Sequence, residues 1–404
     1  MRKERRSLFK MVFGDKKQND FKFKNFLKLL SGYSAIYSNI SDDINDNIIA
    51  KECIDAIATH GAKMIPKHYQ VKNGVKIHVE GDINYILGVK PNKYMTVYDF
   101  LYKTLSLLYS QNNEFIYIDI DSKGYLVGLY PLNPLFCQLI EYENEVWLKF
   151  QFLDSNVYYA KYDRIIHLRR FFNKHDFYGD NNEVLKSSIE TQTVADDGIK
   201  NAIKISTSLR GIIRATNSML KNKDLIELRN DFVKNILSST SGIGSLDSKF
   251  DFKEINIKPI LLDKEQLSQV NGNIYKYFRI SEKILDSSFN DEEWNAFYES
   301  VIEPLAIQME QAFRNAIFSE QAIKDGHTIE FSVNRIKYAK TETKIKLLKE
   351  VGVLGIIKVD EGREILDLPA LGGEEGNKRL QTLNVINSNL ADKYQGGVDD
   401  GESN

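Results

Sequence analysis

The most regular apolar pattern in the chain lies between residues 291 and 317, and it constrains the fold more than any other feature. Apolar side chains recur there at intervals of three, four and seven residues, which places them on one face of an α-helix. They are Trp294, Phe297, Tyr298, Val301, Ile302, Leu305, Met309, Ala312, Phe313 and Ile317. Pro304 lies inside the pattern, and because proline lacks a backbone N–H we expect it to kink or bend the helix.

Residues 48–165 mix helical and strand-like patterns and predict an α+β body. A helix from residue 48 should close near Gly61, and Asn73-Gly74 between two alternating runs predicts a tight β-hairpin. Thr96 and Asp99 resemble a capping box that opens a second helix. Strands are predicted at 115–120, 125–130, 145–152 and 164–168, and regular alternation at 146–152 indicates one buried sheet face.

From residue 183 the pattern becomes mainly helical. Helices are predicted over 184–220, 224–237 and 263–285, with a flexible Ser/Gly loop at 238–245 and a strand at 250–257. A break at Ser287–Asp291 precedes the long helix, and residues 327–333 alternate as a strand. Short helices are predicted at 341–351 and 358–366, and the polar segment from Gly372 onward is expected to be mobile.

The overall charge is balanced, with 54 Lys+Arg against 56 Asp+Glu and a net charge of −2. Affinity for phosphates grows with each cation that displaces a counterion, so this balance excludes a protein that holds nucleic acid by bulk positive charge. The content of 42% hydrophobic and 27% charged residues is that of a globular chain, and 404 residues suffice for two or three domains.

The first thirty residues are locally basic, with ten Lys/Arg against three acids. Phe23, Phe26, Leu27 and Leu30 fall at helical spacing within them. Such an arm could grip a nucleic-acid backbone or an anionic membrane, or form a short helix whose Phe/Leu stripe docks on the body. We favour the docked helix, because soluble proteins use such stripes mostly for packing.

The cysteines and the apolar runs of the sequence indicate in which compartment the protein is found. The two cysteines, Cys53 and Cys137, cannot form a disulfide framework, and their apolar neighbours predict buried, inert thiols. The longest apolar run, Val351–Ile357, is far shorter than the ~20 residues of a membrane helix. The N-terminal residues lack the features of a secretory signal, so we expect the chain to stay in the cell that makes it.

Motifs that carry chemistry are few. There is no phosphate-binding P-loop sequence, no nucleophile elbow and no histidine–cysteine pattern for zinc. His167 could serve as a general base, but a strand histidine without an evident carboxylate partner predicts a structural hydrogen bond. Asp291, Glu292 and Glu293 could hold a divalent metal, although carboxylates that open a helix usually answer its macrodipole.

Several segments, in order, resemble the HK97-type family of phage portal proteins. They are Lys90–Phe100 (similar to N-P-N-x-x-M-T-x-x-x-F), Leu107–Tyr117 (L-L-x-x-G-N-A-Y), Leu129–Pro134 (L-x-P-L-x-P), Asp163–Arg169 (D-I-I-H-I-R) and Gly352–Pro369 (the closing signature G-x-L-T-x-N-E-x-R-x-x-x-G-L-P). The order and spacing of these segments carry the resemblance, which spans about residues 40–371. Two departures are Ser110-Gln-Asn112, where the family has Arg-Gly-Asn, and Arg170, where it has glycine.

The resemblance implies a portal fold of the α+β class, with an α/β wing, a helical stem, a small α+β clip, a long spine helix and a short helical crown. Mapped by order, the divisions are a basic arm at 1–39, wing at 40–182, stem helix at 183–206, clip at 207–262, stem helix at 263–286, tunnel loop at 287–291, spine helix and wing strand at 292–340, crown at 341–371 and mobile tail at 372–404. Such subunits close into a ring, typically twelve-fold.

The resemblance also implies a function without enzymatic activity or cofactor. The ring would lie at one capsid vertex of the virion, where it admits double-stranded DNA during packaging, releases it during ejection, and docks the large terminase subunit, the major capsid protein and the head–tail adaptor. The chain would be made in the bacterial host cytoplasm and would not contact a membrane. The DNA-facing loop would be Ser287, Ser288, Phe289, Asn290 and Asp291.

Two interpretations of the basic residues Lys200, Lys204, Arg210 and Arg214 remain open: rings of positive charge that line the channel, or salt bridges between neighbouring subunits. A different function is also open, a metal-dependent DNA nuclease that uses Asp291, Glu292 and Glu293. A third is a monomeric DNA-binding module that uses the basic arm.

Overall fold

The computed structural model describes residues 24–25, 36–38, 44, 46–153, 156–206, 211–215, 222–238, 250–254, 263–332, 341–352, 354–366 and 368–381. Up to residue 169 the elements are β1 (Lys24–Asn25), β2 (Ile36–Ser38), α1 (Ile48–Gly61), β3 (Ile65–Lys72), β4 (Val75–His78), α2 (Asp82–Gly88), α3 (Val97–Gln111), β5 (Asn113–Ile120), β6 (Leu126–Leu132), β7 (Phe136–Tyr142), β8 (Glu145–Gln151), β9 (Val157–Lys161) and β10 (Ile165–Arg169).

The remaining elements are mostly helical. They are α4 (Glu183–Ser206), β11 (Gly211–Ala215), α5 (Asn222–Ser238), β12 (Phe250–Glu254), α6 (Lys264–Phe278), α7 (Glu282–Leu285), α8 (Asp291–Phe297), a π-helical turn (Tyr298–Ile302), α9 (Glu303–Ile317), α10 (Glu320–Lys324), β13 (His327–Ser332), α11 (Thr341–Gly352), β14 (Leu354–Lys358), α12 (Val359–Ile365), α13 (Gly373–Asn377) and β15 (Arg379–Gln381).

Three antiparallel sheets build the α+β body. One has the order β1-β7-β8-β9 with β2 also pairing with β7, the second is β10-β5-β6, and the third is β13-β3-β4. In the third sheet a strand from late in the chain returns to the first hairpin, with His327 opposite Gln70. The body is therefore closed by contacts between distant parts of the sequence.

Two hydrophobic cores fill the body. The larger core joins α1 and α3 to the apolar stripe of α8 and α9, and it includes Ile57, Leu105, Phe297, Met309 and Phe313. The smaller core is largely aromatic and lies between the first two sheets, around Phe115, Phe150, Phe152 and Tyr178. The alternation of Leu148, Phe150 and Phe152 in the sequence is confirmed by their burial.

Side chain-to-backbone chemistry sets several element boundaries as predicted. Asn73 and Gly74 join β3 to β4 with φ of 51° and 76°, the left-handed values that this two-residue turn requires. Thr96 Oγ1 accepts from the Asp99 N–H at 3.2 Å, and the Thr96 N–H donates to Asp99 Oδ2 at 3.3 Å. Both the hairpin and the capping box are confirmed.

The predicted irregularity near Pro304 takes the form of a π-helical turn. Residues Tyr298–Ile302 are π-helical, and Pro304 follows in the first turn of α9. Because Pro304 cannot donate a backbone hydrogen bond, the preceding turn adjusts its bonding, and a π-bulge is one of the ways a long helix does so. Phe297, Val301 and Leu305 stay buried through the turn.

The structure corrects the helix predicted over 184–220. The helix ends at Ser206, and Gly211–Ala215 is a strand paired with Phe250–Glu254, where a strand was predicted. Ile212 and Ile213 are β-branched residues that suit a strand. Their partner strand lies far along the sequence, so local periodicity could not reveal the pairing.

Three further expectations differ from the structure. Lys24–Asn25 pair as strand β1 with Ile140–Glu141, whereas a helix was predicted there; most of the basic arm lies outside the described residues. The start of the tail is folded, because α13 and β15 occupy 373–381 and β15 pairs with β14. The helix predicted to continue to residue 285 ends at Phe278, where Arg279 adopts φ of 56°.

Candidate nucleic-acid interface

The loop singled out from the sequence, residues 287–291, joins α7 to α8. Ser287 has φ of 56°, and the N–H groups of Ser287 and Ser288 donate to the carbonyls of Ile284 and Lys283 at 3.3 and 3.0 Å. These bonds end α7 in a left-handed turn. Ser287, Ser288, Asn290 and Asp291 are exposed, so the loop presents short, mainly neutral polar side chains to its surroundings.

Two residues hold this loop in place. The Phe289 ring is half-buried and stacks on Trp294, with ring centroids 5.3 Å apart. Asn290 is the N-cap of α8: its Oδ1 accepts from the Glu293 N–H at 2.8 Å, and its own N–H donates to Glu293 Oε2 at 3.0 Å. Asn290 and Phe289 therefore fix the loop, and Ser288 is the member that no such contact engages.

The acidic residues at the start of α8 stabilise the N-terminus of that helix. Glu293 completes the capping box and also pairs with Lys283 through its Oε1. The hydrogen bond from Lys283, followed by that from the Asn290 backbone, lowers the pKa of Glu293. Across the described ranges, no three His, Cys, Asp or Glu side chains are placed to hold a metal. The geometry thus offers no support for the nuclease considered from the sequence.

The four basic candidates do not form one described cluster. Lys200 and Lys204 are exposed on α4, and Lys200 Nζ lies 3.1 Å from Asp197 Oδ1. Arg214 lies on β11 opposite Asp251, and Arg210 lies outside the described residues. The sequence of α4 holds three lysines against four acids, a balance that sequence reasoning overlooked.

A buried polar junction is the main feature that sequence reasoning missed. Five consecutive polar residues, Ser110 to Glu114, run from the end of α3 into the start of β5, and all are buried. Asn112 Nδ2 donates to Asn182 Oδ1 at 2.5 Å and to the Tyr277 hydroxyl at 3.0 Å. Asn182 precedes α4 and Tyr277 lies in the last turn of α6, so this polar junction ties both helices to the body.

The two departures from the family pattern meet at the polar junction. Arg170 NH1 donates to Asn112 Oδ1 at 3.2 Å, and its guanidinium lies 3.8 Å from the centre of the Tyr109 ring. The guanidinium also lies 5.7 Å from the Tyr277 ring. Arg170 therefore holds, from the β10 side, the same turn in which Ser110 replaces the family's arginine.

His167 acts as a structural hydrogen bonder, as predicted. Its Nε2 lies 3.1 Å from Asn113 Oδ1, and its ring stacks on Phe115 with centroids 4.5 Å apart. Burial lowers the pKa of His167 well below its usual range, with Arg169 adding to the effect. The imidazole is therefore neutral and enclosed, which does not suit a general base for an outside substrate.

The closing signature has a defined hydrogen-bonding role. Asp360 accepts from the N–H groups of Leu371 and Gly372 at 2.7 and 3.0 Å, and Arg363 Nε donates to the Pro369 carbonyl at 2.7 Å. A Cβ on Gly376 would lie 1.9 Å from Asp360 Oδ2, so any larger residue there would displace the Asp360 carboxylate from these hydrogen bonds. These contacts fold the segment after α12 back onto that helix.

Comparison with known proteins gives a consistent result. A model of the phage portal protein family matches residues 49–367. Similar solved chains belong to the neck of the native gene transfer agent (GTA) particle computed with C12 symmetry (14% identity, 84% of this chain and 97% of that chain, TM-score 0.57) and to the virion of the native GTA particle (14%, 81% and 91%, TM-score 0.58). No curated protein matches the sequence.

A crystal structure of an HK97 family phage portal protein from Corynebacterium diphtheriae is also similar, at 12% identity over 74% of this chain and 98% of that chain, with a TM-score of 0.50. At these identities the solved structures show a shared fold. The family match covers most of the sequence, and the chain therefore belongs to the phage portal protein family. The family resemblance seen in the sequence motifs is confirmed, and with it the role of a portal protein.

Proposed function

We propose that this chain assembles into a ring of twelve copies at one vertex of a phage capsid, where it conducts double-stranded DNA in both directions. The observation that carries the proposal is the family match over residues 49–367. The similarity to a chain in a particle neck computed with C12 symmetry supports the stoichiometry. The ring docks the large terminase subunit during packaging, the major capsid protein around its rim and the head–tail adaptor afterwards.

The regions follow the order of the family. The body up to residue 182, together with β13, forms the wing. Helices α4 and α6 form the stem, and the β11–β12 pair forms the clip with α5. Residues 287–291 form the tunnel loop, α8 to α9 form the spine, and the crown begins at residue 341. The anchoring of α4 and α6 at the polar junction supports this division, because both stem helices leave the wing from one fixed point.

Ring formation is tested directly on the purified full chain. Size-exclusion chromatography with light scattering should give a closed oligomer of several hundred kilodaltons, and negative-stain images should show an annulus with a central hole. A chain that remains monomeric under all conditions, and that forms no annulus in particles, contradicts the proposal. It would favour the monomeric DNA-binding module instead.

The tunnel loop contacts DNA weakly and without sequence preference. Its exposed Ser287, Ser288 and Asn290 carry no charge, so they suit water-mediated contacts to phosphates that allow sliding. A cation at this position would add a contact that strengthens as salt falls. Ser288→Arg should therefore slow DNA packaging at low salt more than at high salt, whereas Ser288→Ala should leave the rate unchanged. Equal rates for both variants at all salt concentrations contradict a DNA-facing position.

Lys204 provides a test of the channel-charge interpretation. If Lys204 faces the lumen, Lys204→Glu should impair DNA packaging while rings still form. If it pairs with an acid of the neighbouring subunit, the same variant should impair ring assembly itself. Lys200→Glu is the matched variant on the same helix, and it also removes the pair with Asp197.

A further inference from the structure

One edge of strand β10 faces away from its sheet, because β10 is the outermost strand in the order β10-β5-β6. The Arg170 N–H, just after β10, donates to the carbonyl of Asn112, just before β5, at 2.8 Å. Hydrogen-bonded pairs alternate along an antiparallel ladder, and the register continues through both strands. The backbone N–H and C=O groups of Ile165, His167 and Arg169 therefore point away from β5.

These outward groups are only partly paired. The Arg169 carbonyl accepts from Gln308 Nε2 at 2.5 Å, and the Ile165 N–H donates to the Tyr162 carbonyl in the preceding turn. Within the described ranges no hydrogen bond engages the N–H and C=O of His167, although this residue is only 8% exposed. Buried backbone groups normally have partners, and a free strand edge pairs readily with another strand.

A groove of 740 Å³ lies between this edge and helix α9. On the helix side it is lined by Gln308, Gln311 and Asn315, which are three and four residues apart and share one face of α9. Amide side chains both donate and accept, as a peptide backbone does. The small side chains of Ala312 and Ala316 line the same groove. The groove thus offers hydrogen bonds to both edges of an extended peptide.

The charged side chains that line the groove are Arg164 and Arg169 against Asp163. His167 also lines it, but burial keeps the pKa of its imidazole well below the usual range, so that ring is neutral. The excess of positive charge favours an occupant that carries acids.

The segment 382–404, which lies outside the described residues, meets these requirements. It follows strand β15 directly and begins Thr-Leu-Asn-Val-Ile-Asn, a run in which apolar and β-branched residues suit a strand. It carries four acids against one lysine. Segments 1–23 and 333–340 also lie outside or largely outside the described residues, but they hold eight Lys/Arg against three acids and three against none.

The segment is also long enough to reach the groove. Its 23 residues span up to about 75 Å when extended. The elements from α11 to β15 are joined to β13 by residues 333–340, which allow at most about 30 Å between Ser332 and Thr341. Phe318 lines the groove and contacts His327 of β13, with ring centroids 5.7 Å apart. One end of the groove therefore lies beside the strand from which the C-terminal elements depart.

We propose that residues 382–404 of each subunit dock in this groove, where residues 382–387 add a strand to the free edge of β10. The added strand supplies the partners that the His167 backbone lacks, and the amides of α9 bind its other edge. The contact ties the end of the chain to the body within one subunit. It forms in the monomer as well as in an assembly, and so it does not depend on the ring proposed above.

Hydrogen exchange compares the full-length chain with a chain ending at Gln381, both as monomers. Amides of 163–169 should exchange at least about tenfold faster in the shortened chain, while amides of α1 and α3, the internal reference, should be alike in both. Equal exchange at 163–169 overturns the inference. Protection of 163–169 that appears only in ring fractions assigns the groove to a neighbouring subunit and also overturns it.

A fluorescein-labelled peptide of residues 382–404 tests the site by direct binding. Fluorescence anisotropy should show that it binds the chain ending at Gln381 at least about tenfold more tightly than the full-length chain, whose own segment occupies the groove. A peptide of the same composition in shuffled order is the control. Equal binding of the shuffled peptide would show attraction by charge alone and contradict strand pairing.

Backbone methylation separates strand pairing from side-chain packing. A strand bonds to its neighbour through alternate residues, so N-methylation at Leu383 and Val385, or instead at Asn384 and Ile386, should weaken binding of the peptide much more in one case than in the other. Equal binding of the two methylated peptides contradicts an added strand.

Gln311→Trp places a large ring in the groove of the full-length chain at an exposed position of α9. It should raise exchange at 163–169 to the level of the shortened chain and block the labelled peptide. Ile307→Trp, at a 50% exposed position of α9 outside the groove, is the matched control and should change neither. Identical behaviour of the two variants contradicts the proposed site. Failure of the chain to form rings would contradict the proposed function and leave these monomer measurements unaffected.

Discussion

At the scale of single residues, the polar junction depends on amide side chains that both donate hydrogen bonds through their nitrogen and accept them through their oxygen. Asn182 Nδ2 donates to the Ser110 carbonyl at 2.6 Å, and its Oδ1 accepts from Asn112 and from the Tyr277 hydroxyl. Asn182, Asn112 and Ser110 are buried and Tyr277 is half-buried, so loss of a partner among the buried groups leaves a polar group unsatisfied. Asn182 thereby links α3, α4 and α6 through one side chain.

Asn182→Ala should destabilise the protein by about 2–3 kcal/mol, because it removes the hydrogen bonds of Asn182 to the Ser110 carbonyl, to Asn112 Nδ2 and to the Tyr277 hydroxyl. Urea unfolding followed by tryptophan fluorescence measures the loss. Asn315→Ala, at an exposed position on α9, should change stability by less than about 0.5 kcal/mol. Equal effects of the two substitutions would show that the polar junction carries no special stability.

Glu114 is a carboxyl group that is fully buried at the start of β5. Burial raises the pKa of Glu114 well above its usual value of 4.5. The folded protein therefore keeps the proton that the unfolded chain releases above pH 4.5, so the stability that this group contributes at low pH is lost as pH rises towards the folded pKa.

Glu114→Gln should consequently stabilise the protein at pH 7 and have little effect near pH 4.5. The difference from wild type should grow by up to about 1.4 kcal/mol per pH unit between these limits. Urea unfolding at several pH values checks the slope. Glu227→Gln, on the exposed side of α5, is the control for removal of one carboxylate. A pH-independent difference for Glu114→Gln would mean that its carboxyl group is solvated.

At the scale of elements, the loop 287–291 combines a helix cap, Asn290, with an exposed serine, Ser288, that we propose faces DNA. Asn290 caps α8, so Asn290→Ala should cost about 1 kcal/mol of stability, as the loss of an N-cap does. Ser288→Ala should change stability by less than about 0.5 kcal/mol, because its side chain lies exposed in the same turn. Thermal unfolding of the two variants measures both effects. A larger loss for Ser288→Ala would assign it the structural role.

The elements also show which parts of the fold could be predicted from the sequence. Element boundaries that depend on neighbouring residues, such as the Asn73-Gly74 hairpin and the Thr96–Asp99 capping box, were predicted from the sequence. Strands β11 and β15 were missed because they are defined by distant partners. For the site, the break at 287–291 was visible as a loss of apolar periodicity. The polar junction was not, because Asn182 and Tyr277 reach it from far along the chain.

At the scale of the whole molecule, one contact joins residues 68 and 327 and so closes the third sheet. His68 Nε2 lies 2.9 Å from His327 Nδ1, and both rings contact Phe318. Burial, then His327 and His78, lowers the pKa of His68 to about 4. The unfolded chain therefore binds a proton at His68 that the folded chain refuses, and the stability present above pH 6.5 is lost as pH falls towards 4.

His68→Gln should flatten this dependence, because glutamine cannot gain a proton between pH 6.5 and 4. The stability difference between wild type and His68→Gln should shrink or reverse as the pH falls through this range, which chemical unfolding at fixed pH values measures. His175→Gln, on the half-buried loop after β10, is the comparison variant. Parallel pH profiles for wild type and His68→Gln would contradict the lowered pKa.

Among the residues that the structure describes, no helix is both long and apolar enough to cross a membrane.

Both native thiols are sealed inside the body, where burial raises the pKa of Cys53 to about 12 and raises that of Cys137 further. A maleimide dye offered to the folded wild-type protein should thus find no thiolate to attack. One cysteine placed at Ser288 would give each subunit a single reactive handle, and fluorescence from that position could then report the passage of a labelled genome in real time.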